Sequence, residues 1–298
     1  MSRRTPSLHA LYTVLGDEEF IEASIGSIYP FVSGITIITA YDRSWSNSPR
    51  PESTIVDMVL SRKFDPERKI SLIIKHFTSE AASRNAVMDL VAPRAGVAPI
   101  SPQDTYDILG PAPDYFLIVD ADEIWDPGDL TRLIDYMAEH PARAYRAGAH
   151  RYFKCWNYRI AGLEWSTVAV RSDRRFRYLR NVFQSVLQRL VSKVFGRTSR
   201  IGAMLGGVCD VPAEVSVFHH GSYVGSRDRI STKLQLSGHA KDVVPDWMET
   251  VWDSWTPEMR NLNPVWPDLY SHAVRVDHAD LPHAIIASVW PDGYLLQE

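Results

Sequence analysis

The sequence predicts an α/β protein: a mixed, mainly parallel sheet with helices on both faces, in a single compact domain whose second half is irregular. Three observations predict it. Short apolar runs alternate with helical patterns over residues 1–130, which is the signature of strands joined by crossover helices. The strand candidates are continuous and β-branched rather than alternating, as expected of strands buried on both faces. Past residue 130 the regular alternation stops and Arg, Tyr and Trp accumulate.

Taken in order, residues 8–15 (LHALYTVL) read as the first strand. Residues 18–29 place Phe20, Ile21, Ile25 and Ile28 at helical spacing. Residues 35–40 (ITIITA) form a second strand, 52–63 a helix and 70–77 (ISLIIKHF) a third strand. A helix over 79–91 has Ser79 as its N-cap. Five prolines between 92 and 113 mark a loop. Residues 115–119 (YFLIV) are a fourth buried strand that runs into Asp120-Ala121-Asp122-Glu123. A helix over 128–139 follows, with Asp126, Pro127 and Asp129 suiting its start. Less regular strands lie within 143–172, a helix with an apolar stripe over 181–195, a strand over 215–219 and a helix over 227–239. No linker or repeat separates independent domains.

Composition narrows the function classes. With 298 residues, 45% hydrophobic and 23% charged, the chain is neither disordered nor low-complexity. Two cysteines, Cys155 and Cys209, are too few for a disulfide framework or a four-thiolate zinc site, and a reduced, cytoplasmic setting is expected. No apolar run approaches a membrane span. The short apolar stretch after Arg3 and Arg4 is broken by Gly16 and three acidic residues, so no secretory signal is expected.

The net charge of −4 argues against a nucleic-acid partner, yet it hides a segregation. Residues 131–210 carry 15 basic and 5 acidic side chains, a net of +10, between acidic flanks. Eight of these cations lie in 174–200 without a carboxylate. A helix docked on the core with a solvated basic face, a lid over a phosphate site, and peripheral contact with an anionic membrane are the readings of that segment.

Ligands of parallel sheets bind beyond the carboxyl ends of the strands, and there the acidic run sits. Asp120 and Asp122, at i and i+2 where the chain leaves the sheet, are expected to share a divalent cation. Oxygen donors of this kind suit Mg²⁺ or Mn²⁺ bridging the phosphates of a nucleotide. Such an ion neutralises charge growing on a diphosphate leaving group.

The run Asp17-Glu18-Glu19-Phe20-Ile21-Glu22 through Ser27, the strand ITIITAYDRS, Ser83-Arg84-Asn85-Ala86 and YFLIVDADEIW together resemble glycosyltransferases of the GT-A fold, family 2 in particular. Asp120-Ala121-Asp122-Glu123-Ile124, with His220-Gly221-Ser222-Tyr223 and Lys233-Leu234…Ser237-Gly238-His239, is similar to family 17, whose activity is transfer of N-acetylglucosamine to mannose. The resemblance covers residues 1–130 and, loosely, 215–240; residues 141–212 match neither. Gly16-Asp17 stands where a Pro…Asn opening is usual, and Tyr41-Asp42 where two acidic residues often occur.

The resemblance implies a metal-dependent hexosyl- or N-acetylhexosaminyltransferase. A nucleotide-diphospho-sugar is the donor, and a glycan, lipid-linked sugar or small molecule supplies the acceptor hydroxyl. Residues 1–130 would hold donor and metal, and residues 131–298 the acceptor. Thr13, Glu18, Asp42, Arg84, Asn85, Asp120 and Lys233 fall at the nucleotide-sugar; Asp120, Asp122 and His220, with His219 second to it, fall at the metal. Arg84 opens a helix, where a guanidinium reinforces the helix amides toward phosphate; pairing with Glu80 on the same helix is its structural alternative. An inverting reaction needs a carboxylate base, for which Glu164, beside Trp165, and then Asp210 are the candidates. A sugar-phosphate nucleotidyltransferase shares the layout, but its Gly-rich, Arg-containing first loop is replaced by Gly16-Asp17-Glu18-Glu19. A catalytically inactive sugar- or membrane-binding module is the reading from outside enzymes. The tryptophans at 247, 252 and 255 are expected to pack rather than to bind sugar.

Overall fold

The computed structural model describes residues 4–14, 16–40, 54–61, 63–77, 79–93, 105–106, 112–178, 181–182, 207–237 and 239–296. In its first half the strands are β1 (Leu8–Thr13), β2 (Gly34–Thr39), β3 (Ile70–Ile74), β4 (Thr105–Tyr106) and β5 (Tyr115–Asp120). Helices α1 (Ile21–Ile28), α2 (Ile55–Ser61) and α3 (Glu80–Val91) connect them. The chain then forms β6 (Glu123–Ile124) and α4 (Pro127–Glu139). The second half contains β7 (Ala144–Ile160), β8 (Glu164–Arg171), β9 (Phe176–Tyr178), β10 (Asn181–Val182), β11 (Val208–Asp210), β12 (Val217–Val224), α5 (Arg227–Leu236), β13 (Ala273–Arg275) and α6 (His283–Ile286).

The main sheet runs β4-β3-β2-β1-β5-β8-β7-β12-β6, with β11 and β13 added along β7. Strands β3, β2, β1 and β5 are mutually parallel. β8 is antiparallel to both β5 and β7, and β12 returns parallel to β7. The expected mixed α/β architecture is therefore present, its parallel part being the half that the apolar runs marked. Strand periodicity explains the layers. Leu8, Ala10 and Tyr12 of β1 pack with α1, α2 and α4, while Leu11 faces α3 together with Phe116 and Ile118. Helices thus cover both faces.

Caps explain two of the helix starts. Ser79 accepts the Ala82 N–H at the head of α3, and Asp126 accepts those of Gly128 and Asp129 at the head of α4. The C-terminal aromatics form core, as expected. Trp247, Trp252 and Trp255 surround Phe153, and Trp290 packs on Phe20 and Trp156. Trp266 differs, being 55% exposed.

The basic segment departs from expectation at its start. Residues 176–178 and 181–182 are two short antiparallel strands rather than the beginning of a helix. Arg175 is buried, pairing with Asp89 of α3 at 2.7 Å. The remainder of the helix expected over 181–195, and the cations up to residue 200, lie outside the described residues. No helix among the described residues is long and apolar enough to cross a membrane.

Candidate functional site

A cleft of about 880 Å³ opens at the carboxyl ends of β1 and β5, walled on the far side by β12 and α5. Asp120 ends β5 beside Thr13 of β1, so strand register alone brings both to the floor. Residues 121 and 122 then turn the chain, and β6 comes back antiparallel to β12, pairing His220 with Glu123 and His219 with Ile124. His220 is also the cross-strand partner of Arg151 in β7. Glu123, His220 and Arg151 therefore form one row across three strands.

This turn changes the expected ligand set. Donor atoms of Asp120, Glu123 and His220 lie within 4.8 Å of one another. Asp122 is not in that group but touches it: its Oδ1 is 3.1 Å from His220 Nε2, while its Oδ2 accepts from Lys233 at 2.5 Å and lies 3.6 Å from Arg229. The turn at residues 121–122 sets Glu123, on β6, beside Asp120 and His220. Glu123 is fully buried, and its Oε2 accepts the Asp120 N–H at 3.0 Å.

The histidine geometry fits a cation. Nε2 of His220 has two neighbours, Ser222 Oγ at 2.6 Å and Asp122 Oδ1 at 3.1 Å. Nδ1 is buried without a hydrogen-bond partner, 3.7 Å from Glu123 Oε1. That separation is too long for a hydrogen bond and close to the spacing of two donors sharing one ion at roughly 2.1 Å each. One imidazole nitrogen with two carboxylates is a donor set that could hold a divalent cation.

Across the cleft, α5 presents Arg229 and Lys233, one helical turn apart. Arg229 pairs with Asp17 at 2.6 Å and Glu19 at 2.8 Å, and its guanidinium lies 4.4 Å from the Phe20 ring centroid. Lys233 bridges Asp17 at 2.6 Å and Asp122 at 2.5 Å. Burial opposes ionisation of Asp122, but Lys233, His220 and Arg229 outweigh it and hold its pKa well below the carboxylate range. The reverse holds on α5, where burial is outweighed by Asp122 and Asp17 and the Lys233 pKa is raised. Asp17 adopts a left-handed conformation (φ 61°) directly after Gly16 (φ 141°), which turns its carboxylate toward α5. Neither Asp17 nor Arg229 was expected as a site residue from the sequence; the i, i+4 spacing of Arg229 and Lys233 was the readable signal.

Other expected residues fall elsewhere. Arg84 is fully buried beneath the cleft, paired with Glu80 and, at 3.0 Å, with Asp120, so its structural alternative is the one seen. Asn85 exchanges two hydrogen bonds with the backbone of Phe176 and braces β9 rather than a nucleotide. Glu18 accepts the Thr54 N–H and hydroxyl at the head of α2. His219 hydrogen-bonds Tyr152 in the core, where burial drives its pKa down to about 3. Glu164 is held by Arg151 at 2.6 Å and Tyr270 at 3.3 Å beside a separate cavity of about 100 Å³. Asp210 lies 3.5 Å from Arg146 and, like Glu164, does not line the main cleft. Asp42 lies outside the described residues. Thr13 does line the cleft, and its hydroxyl has no hydrogen-bond partner among the described residues.

No family model matches the chain, and no curated protein matches it; neither family suggested by the motifs is thereby assigned. Among solved structures, the crystal structure of S. aureus TarS matches with a TM-score of 0.36 and 10% identity. The match covers 77% of this chain and 38% of that one, so this chain spans well under half of the neighbour's length. A likeness at that level decides nothing about chemistry.

Proposed function

We propose that the protein is a divalent-cation-dependent glycosyltransferase that moves a sugar from a nucleotide-diphospho-sugar to an acceptor hydroxyl. The observation that carries this reading is the Asp120–Glu123–His220 group, of which Asp120 and His220 line a cleft whose opposite wall carries Arg229 and Lys233. A sugar diphosphate needs both: a cation to bridge its oxygens and fixed positive charge to receive the leaving group. A divalent ion bound there supplies Lewis-acid stabilisation of the departing diphosphate. Asp120, Glu123 and His220 would hold it. Lys233, on the facing helix, would donate to phosphate oxygens, and Thr13 would add its hydroxyl.

In an inverting reaction the acceptor's proton passes to a carboxylate, and one without an ion pair is the more available base. Asp17, Glu19, Glu80, Asp120 and Asp122 line the cleft, and each is paired with Arg or Lys. Asp228, at the head of α5, lines it without an ion pair among the described residues. We assign the base to Asp228 in place of Glu164 or Asp210.

A thermal-shift panel of UDP, GDP and CDP with Mn²⁺ or Mg²⁺ tests the reading. Stabilisation is expected only when nucleotide and ion are both present, reaching about 2.7 kcal/mol at a hundredfold excess over Kd, and it should vanish in Asp120→Asn. If no nucleoside diphosphate shifts the protein with either ion, the transferase reading falls.

A further inference from the structure

We infer that Ser222 and Arg151 are positioning residues for His220: together with Asp122 they keep its ring proton on Nε2 and leave Nδ1 as the donor that faces Asp120 and Glu123. This rests on the metal-dependent reading above but is separable from it by experiment.

The argument is an inventory of donors and acceptors. Arg151 has only donors. Its Nη1 donates to Ser222 Oγ at 3.0 Å while Nε contacts Glu164 Oε2 at 2.6 Å. Tyr270 donates to the same Glu164 oxygen, and its ring centroid lies 5.8 Å from the guanidinium. Arg151 is thus gripped from behind and cannot swing away from Ser222. On the other side, the Asp122 carboxylate is paired through Oδ2 with Lys233 at 2.5 Å and lies 3.6 Å from Arg229, so its Oδ1 presents lone pairs to the ring. A bare Nε2 at 3.1 Å from Asp122 Oδ1 would oppose lone pair to lone pair, so Nε2 carries the hydrogen. That one hydrogen is then shared between Ser222 Oγ, 2.6 Å away, and Asp122 Oδ1, and Ser222 Oγ also accepts from Arg151. Its own hydrogen is left to point into the cleft, which Ser222 lines.

The result explains why Nδ1 alone of the two ring nitrogens has no hydrogen-bond partner among the described residues. A ligating histidine ordinarily has its second nitrogen tied to an outer group that sets tautomer and ring angle. Here the outer group is Asp122 with Ser222, and Arg151 is the tie to β8. Glu164, expected as a base, acts instead as the anchor of Arg151.

Two measurements test this. In metal-free protein, the ¹⁵N ring shifts of His220, assigned with His220→Gln, should report the Nε2–H tautomer; the Nδ1–H form would overturn the inference. Mn²⁺ binding followed by the EPR signal of the free ion should weaken about 10- to 100-fold in Ser222→Ala and recover in Ser222→Thr. Arg151→Met should weaken it in the same direction, while the melting temperature of Ser222→Ala stays close to that of the unmodified protein. Ser222→Ala binding Mn²⁺ as tightly as the unmodified chain would also overturn it. If the unmodified chain binds no Mn²⁺, the metal reading fails, and the tautomer measurement still decides the role of Ser222.

Discussion

Lys233 reaches across the cleft to Asp122, its Nζ 2.5 Å from Oδ2, and this contact neutralises a carboxylate that is only 2% exposed. Removing one member of a buried pair leaves the other charged and unpaired, a loss of about 3–5 kcal/mol. Arg229 and His220 remain beside Asp122, so Lys233→Met should cost less, about 2–3 kcal/mol in urea denaturation at neutral pH. Asp122→Asn with Lys233→Met should cost less than the sum of the singles, because each removes the same interaction. The pH sign follows from the depressed Asp122 pKa. Its contribution is present above the unfolded value of about 3.9 and is lost as pH falls through the lower folded value. In Lys233→Met that acid-side loss should shrink.

Asp228 offers a test of the chemistry that is nearly free of structural side effects, because it is exposed at the first turn of α5. Asp228→Asn keeps the shape and removes the base. Turnover of a nucleotide-sugar with acceptor should fall about 10²- to 10⁴-fold, with an unchanged nucleotide- and Mn²⁺-dependent thermal shift. Unaltered turnover would exclude a base at this position.

The fold of the first half was legible because parallel strands buried on both faces must be apolar at every position, and residues 35–39 and 70–73 are nearly so. Ser79 and Asp126 marked helix starts because only their side-chain oxygens satisfy the exposed amides there. The site was legible in outline. Strand-end position singled out Asp120, and a glycine behind an apolar strand singled out His220. Glu123 was not legible as a candidate, because its placement depends on the reversal at residues 121–122 and on pairing with a strand almost a hundred residues later. The protein partners of Arg84, Asn85 and Glu164 were not legible, for one shared reason. Each has the chemistry of a site residue, but helix phase and strand register turn them toward Glu80, Phe176 and Arg151, and neither is readable without the tertiary partner.

His9 should shape the acid side of the stability curve. It lies in β1, 1% exposed, bonded to Thr36 at 2.8 Å and edge-on to Phe116. Burial lowers its pKa to about 4, below the value of about 6.5 expected in the unfolded chain. The unfolded state therefore binds the proton first as pH falls. Stability contributed by neutral His9 is present above pH ~6.5 and declines toward pH 4 by up to about 1.4 kcal/mol per pH unit. His9→Gln, followed by urea midpoints from pH 7 to 4, should be flatter by close to one proton. Parallel curves for the two proteins would contradict the assignment.

Gly221 and Gly26 should respond oppositely to the same substitution. A Cβ on Gly221 would lie 2.8 Å from Cη2 of Trp156 and 3.1 Å from Cε1 of Phe20. Neither ring has room to retreat: Phe20 is packed by Trp290, Tyr294 and Arg229, and Trp156 by Tyr152 and Trp290. The strain must pass into the backbone. That backbone joins His220 to Ser222, and the Gly221 N–H donates to the Asp122 carbonyl at 2.8 Å. Gly221→Ala is expected to lose about 1–3 kcal/mol, as overpacked cores do, and to weaken Mn²⁺ binding as well, because His220 moves relative to Glu123. Gly26, exposed within α1, has open space around it, so Gly26→Ala should gain about 0.5–1 kcal/mol from helix propensity and leave Mn²⁺ affinity alone. Thermal melts and Mn²⁺ titrations of the two variants separate the cases. Equal melting temperatures for both would show that the Trp156–Phe20 wall yields, and with it that the position of His220 is not set by the close approach at Gly221.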